Sequence, residues 1–171
     1  MKPTHRALLT TLALAALCGS AHADQLFNLA GQIFSGTCQW SMSDADSLVS
    51  LDPIPVGNVP PNGAAGFKSF QVMVTQCTPD ITTATFTFSG TSDSIDPLRY
   101  KSTGTAKGMA FELQSMDGQT VGANGTNSSR NVVINGGQAV LPLKVGYWHS
   151  AGIGVTAGTV ASTAIVSMTY Q

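Results

Sequence analysis

From Thr83 to Gly90 the chain reads TATFTFSG, and Ala84, Phe86 and Phe88 alternate with Thr83, Thr85 and Thr87. A period of two is that of a strand with one face buried. The same period recurs down the chain. In FQVMVTQC it sets Phe70, Val72 and Val74 against Gln71, Met73 and Thr75, and Cys77 falls out of phase, which predicts a bulge or a strand end just before it. MAFEL sets Met109, Phe111 and Leu113 against Ala110 and Glu112, and LPLKVGY sets Leu141, Leu143, Val145 and Tyr147 against Pro142, Lys144 and Gly146. Pro142 has no N–H to give to a ladder, so its position predicts an edge or irregular pairing. SLVSL from Ser47 and NVVI from Asn131 are shorter candidates.

Turn chemistry separates these runs: DPIPVGNVPPNG from Asp52 to Gly63, Asp117-Gly118, NGTNSS from Asn124, and NGG from Asn135. After residue 23, no window of a dozen residues carries a 3.6-residue apolar stripe. Seven to nine short strands in one domain predict a β-sandwich, most simply an immunoglobulin-like one.

Both ends of that domain also read as strands. In DQLFNLAGQIFSGTC, Phe27, Leu29, Gly31 and Ile33 share one side, opposite Asn28, Ala30 and Gln32. In GTVASTAIVSMTYQ, Val160, Ala164, Val166, Met168 and Tyr170 alternate with Thr163, Ser167 and Thr169. Burying Phe27, Leu29 and Ile33 is worth roughly 5 to 9 kcal/mol before ordering costs, so the first segment needs a groove.

The first 23 residues belong to another class. Lys2 and Arg6 precede an apolar run from Ala7 to Cys18 and then Ala21-His22-Ala23, the layout of a secretory signal peptide. The run is well short of the roughly 20 residues that span a bilayer. With Lys2 and Arg6 removed, six of the eight basic residues remain against nine acidic ones, without a basic cluster, which argues against a nucleic-acid partner. Charged residues make up only 10% of the chain, against about 25% on average, as suits a protein that works assembled and outside the cell. In an oxidising compartment Cys38 and Cys77 form a disulfide by default. Closing a loop of about 40 residues contributes roughly 4 kcal/mol on the chain-entropy account.

Candidate chemistry is thin. GIGVTAG at Gly152 to Gly158 has the spacing of a nucleotide-binding loop but opens no helix, so a glycine-rich turn is expected. The sequons at Asn124 and Asn127 read as turns. Asp44 with Asp46, and Asp93 with Asp96, are loop acids with nothing to bury or orient them. His149 beside Trp148 reads as a loop-edge pair. No nucleophile, base and orienting group can be assembled, so neither an enzyme nor a cofactor is expected.

Taken in order, GQIFSGTC, FQVMVTQC, FTFSGTSD, STGTAKGMAFELQSMDGQTV, LPLKVGYW and VTAGTVASTAIVSMTYQ resemble a pilin subunit of the chaperone-usher class, similar to type 1 fimbrial subunits. Gly158, fourteenth from the end, and the penultimate Tyr170 carry the most specific part of the likeness. The resemblance implies an all-β, incomplete immunoglobulin-like β-sandwich that lacks its seventh strand and is completed in trans. On that reading residues 1–23 are a cleaved signal, residues 24–34 a donor extension running into the first strand, and residues 35–171 the pilin domain. Phe27, Leu29, Gly31 and Ile33 would be the donor face. Gly158, Ala164, Val166, Met168 and Tyr170 would form the acceptor groove and the surface a periplasmic chaperone recognises. An outer-membrane usher would exchange the chaperone for a neighbouring pilin, building an open filament at the cell surface. The short stretch from Asp24 to Ala30 ahead of Gly31 points to a minor, tip-proximal subunit. The alternative is a tip adhesin binding a glycan.

Overall fold

The structure is a computed structural model that describes residues 36–42 and 48–171. The expected signal peptide and donor extension, along with Asp44, Asp46 and Ser47, lie outside the described residues. Eight strands are described: β1 (Gln39–Met42), β2 (Gly63–Thr75), β3 (Thr83–Gly90), β4 (Tyr100–Lys101), β5 (Met109–Ser115), β6 (Ser129–Val133), β7 (Ala139–His149) and β8 (Ala164–Tyr170). They form a five-stranded sheet, in the order β1-β2-β7-β5-β4, and a three-stranded sheet, in the order β6-β3-β8. Every named pair is antiparallel.

Alternation decides which side chains meet between the sheets. The larger sheet sends in Phe70, Val72 and Val74 from β2, Leu141 and Leu143 from β7, and Leu113 from β5. Ala84, Phe86 and Phe88 of β3 meet them, with Phe86 fully buried. The threonines between them face outward, where Thr85 and Thr87 bond Asn131 and Ser129 of β6.

The irregularities have local causes. β2 ends at Thr75, Gln76 takes a φ of 55°, and Cys77 then donates to Gly137 O and bridges to Cys38. The strand end expected before Cys77 is therefore present. Register in β2 shifts between Ala65 and Lys68, where Gly66 has a φ of +63°, a left-handed conformation that favours glycine. Phe67 then lies over Gly146, where a Cβ would come within 2.8 Å of the ring.

Pro142 sits in a central strand, contrary to the edge expectation, but its neighbour Leu143 is the last β7 residue paired with β5. The ladder on that side has ended before proline's missing N–H matters. Leu48 to Leu51 form no strand, although Ser50 O accepts a hydrogen bond from Lys68 Nζ. Glu112, on the face opposite Phe111 and Leu113, is also covered, for it is only 1% exposed. It pairs with Arg99 and accepts hydrogen bonds from Gln114 Nε2 (2.8 Å) and Thr120 Oγ1 (2.7 Å).

Candidate assembly groove

One edge of the smaller sheet stays open. β8 pairs with β3 from Ala84↔Tyr170 to Gly90↔Ala164 and has no second strand partner among the described residues. Beside it lies a cavity of about 400 Å³. Phe70, Phe111, Leu113, Tyr100, Val145 and Tyr147 line it from the larger sheet, and Phe88, Ala164 and Val166 from the smaller. Met42 and Leu48 to Leu51 line it too, as do Val160 to Ser162. The surface is largely aliphatic and aromatic, of the kind an edge strand leaves bare until something covers it.

β8 keeps the alternation read from its sequence. Val166 and Met168 are half-buried and pack on the core, while Ile165 on the opposite face is 63% exposed. Ala164 and Val166 line the cavity. Tyr170 lies away from it, 38% exposed, with Thr85, Thr169 and Gln171 around a separate depression of about 180 Å³. The strand is pinned at its end, for Gln171 O accepts from Thr82 N and Thr83 N, both at 3.0 Å, and Gln171 N donates to Thr83 O.

Gly158 does not line the cavity. It belongs to the segment that carries the chain to β8, hydrogen-bonded along residues 101–107: Thr156 with Lys107, Thr159 with Thr105 and Ala106, Ala161 with Thr103, and Ser162 with Lys101. A Cβ on Gly158 would fall 2.6 Å from Ala106 N, so the glycine lets the two backbones lie flush. The donor residues Phe27, Leu29, Gly31 and Ile33 lie outside the described residues.

Sequence reasoning did not single out Tyr100, Phe111, Tyr147 or the 48–51 run as groove residues. Phe111 and Tyr147 were visible as inward-phase positions, and their rings stack with centroids 5.9 Å apart. Tyr100 sits on a two-residue strand too short to show a period. Its place follows from Arg99, whose guanidinium lies 3.7 Å over the Trp148 ring and pairs with Asp96 and Glu112, anchoring the chain just before β4. Burial pushes the Tyr100 phenol up to about 12, and burial followed by the Asp52 carboxylate raises that of Tyr147.

The other candidates have structural roles. The His149 ring is buried, with Nδ1 2.7 Å from Pro60 O and Nε2 2.7 Å from Ile153 O, and Trp148 Nε1 donates to Ser150 Oγ. Asp93 Oδ1 accepts from Ile95 N and Asp96 N, which shapes a turn. Asn124 Oδ1 accepts from Thr126 N, and Asn127 Nδ2 donates to Thr120 O. GIGVTAG runs through a loop and opens no helix. Among the described residues there is no cluster of metal-ligating side chains, and no helix is long and apolar enough to cross a membrane.

An all-β sandwich in which, among the described residues, an apolar groove runs beside the edge strand β8 defines an incomplete immunoglobulin-like domain. The chain matches the family described as fimbrial protein over residues 27–171, and it belongs to that family. It is a structural subunit of a fimbria, a pilus of the cell surface. Its fold is similar to that of the P pilus rod subunit PapA, at 19% identity and a TM-score of 0.66 over 78% of this chain and 99% of that one. A subunit from the structure of a chaperone-usher pilus is similar at 19% identity and a TM-score of 0.65, over 88% and 97%. The CupB6 tip adhesin from Pseudomonas aeruginosa is similar at 23% identity and a TM-score of 0.58, over 71% of this chain but only 35% of that one. No match was found among curated proteins.

Proposed function

We propose that this subunit enters its fibre by strand addition: an extended segment of a neighbouring pilin fills the groove beside β8, after a periplasmic chaperone has held the same edge and an outer-membrane usher has released it. The observation that carries this reading is the apolar cavity of about 400 Å³ against the unpaired edge of β8 in a chain of the fimbrial family. An added strand gains a backbone ladder along β8, and its alternate side chains gain burial in the groove. The segment Asp24 to Phe34 supplies that chemistry, with Phe27, Leu29, Gly31 and Ile33 on one face. Residues 1–23 direct export and are removed, in keeping with a family match that begins at residue 27. Ala164, Val166, Met168 and Tyr170 form the strand that the incoming segment joins, and Gly158 sets its approach. The donor and acceptor surfaces differ, so the contact is heterologous and repeats into an open filament. The brevity of the segment ahead of Gly31 favours a minor subunit near the tip over a main rod component.

The test is co-expression in a periplasm with a candidate pilus chaperone. The intact chain is expected to be captured and to polymerise, while a chain lacking Asp24 to Ala30 is captured but does not extend a fibre. Tyr170→Ala is expected to weaken capture. A processed chain that folds alone, and gains no stability from a peptide of residues 24–34, overturns the proposal.

A further inference from the structure

Filling the groove stabilises only through apolar surface that is still bare, and much of the lining has little left to cover. Phe70, Phe88, Tyr100 and Leu113 line the cavity and are between 1% and 8% exposed in the chain alone. Leu48 lines the same cavity at 67% exposed. Among the described residues, the other large apolar side chains this open, Val133 at 67% and Ile165 at 63%, lie off the cavity. Leu48 is also held lightly. SLVSL has the composition of a strand, yet residues 48–51 form none, and their one hydrogen bond among the described residues runs from Lys68 Nζ to Ser50 O, at 2.8 Å. Val49 packs on the core and keeps the run on the groove wall, so Leu48 stands there with most of its side chain in water.

Resting on the reading of the groove as a strand acceptor, we propose that Leu48 is a specificity-determining residue: it meets one bulky apolar side chain of the incoming strand, and its burial stabilises the filled groove without having stabilised the empty one. The buried lining residues shape the site, but they left water when the chain folded and have almost no area to lose on binding. Half-buried ones such as Met42 and Val166 gain less than Leu48 does. A strand that sets glycine or a polar side chain against Leu48 leaves it wet and is held less tightly. The contact therefore discriminates among fibre subunits by the size and polarity of one inward residue.

The test is a double-mutant cycle read in dissociation rates. A peptide of residues 24–34, and versions of it carrying Phe27→Ala, Leu29→Ala or Ile33→Ala, are bound to the processed chain and to its Leu48→Ala variant. In the chain alone, Leu48→Ala is expected to leave the urea midpoint unchanged, whereas Leu113→Ala, in the same groove but 5% exposed, lowers it. Leu48→Ala is expected to speed release of the unmodified peptide by roughly five- to thirtyfold. That acceleration should largely disappear for one of the Ala peptides and persist for the others. Equal release from both chains, or an acceleration that is the same for every peptide, overturns the inference while leaving strand addition intact. A Leu48→Ala chain destabilised as much as Leu113→Ala also overturns it, because Leu48 would then be packed before anything binds. Failure of every peptide to bind either chain overturns the strand-acceptor reading and the inference with it.

Discussion

β3 and β8 are hydrogen-bonded neighbours with the same alternation, yet they differ in what covers them. On β3, Ala84, Phe86 and Phe88 are fully buried, with β6 on one side, β8 on the other and the larger sheet beneath. On β8, Val166 and Met168 reach only half burial, and Tyr170 stays 38% exposed. Their apolar periodicity is of one kind, so the difference lies in the neighbours, of which β8 has only β3 among the described residues, and not in the alternation. A buried strand needs its own pattern and also two flanking elements, and among the described residues β8 has one.

The largest effect expected from this contrast is at Phe86. Phe86→Ala empties the middle of the covered strand and should cost about 3 to 5 kcal/mol in denaturant unfolding. A loss under 1 kcal/mol would mean that β3 is no better packed than β8. Glu112→Ala comes next, at about 3 kcal/mol, because it leaves the Arg99 guanidinium buried without its main carboxylate. Glu112→Gln, which keeps acceptors for Gln114 and Thr120, should lose less, and equal losses would show that charge is not what the site needs.

Glu112 also marks where the sequence stops being legible. Strict alternation identified the inward residues of β3 and β7, as well as the end of β2 before Cys77, because each depends on local geometry. It set Glu112 on the face opposite Phe111 and Leu113, and a period of two records which face a residue is on, not what lies over that face. The Arg99 turn that covers it is distant in sequence. The groove was half legible for the same reason: β8 shows its own apolar face, whereas Tyr100 on a two-residue strand and the irregular Leu48 to Leu51 have no period. Gly158 belonged to the recognisable end of the chain, but its close approach to Ala106 is a matter of tertiary packing that spacing cannot express.

Val166 permits a direct comparison of open and covered states. With its side chain half-buried, Val166→Ala should cost about 0.8 kcal/mol in the chain alone. With the groove filled by a peptide of residues 24–34, burial of both methyl groups should raise the cost to about 1.6 kcal/mol. Equal costs in the two states would place the peptide elsewhere than beside β8. The paired measurement therefore tells strand addition apart from nonspecific stabilisation.

The smallest expected effect is a pH dependence confined to alkaline solution. Burial raises the Tyr100 phenol from 10.0 to about 12, so the folded chain keeps a proton that the unfolded chain gives up. Stability from this group is fully present below pH 10 and is lost as pH rises through about 12. Tyr147 is raised in the same direction, by burial and then by the Asp52 carboxylate, but less strongly. Urea midpoints at pH 9, 10, 11 and 12 should therefore fall more steeply for the unmodified chain than for Tyr100→Phe, with Tyr147→Phe between them. Parallel curves would show that water reaches the Tyr100 hydroxyl in the open groove.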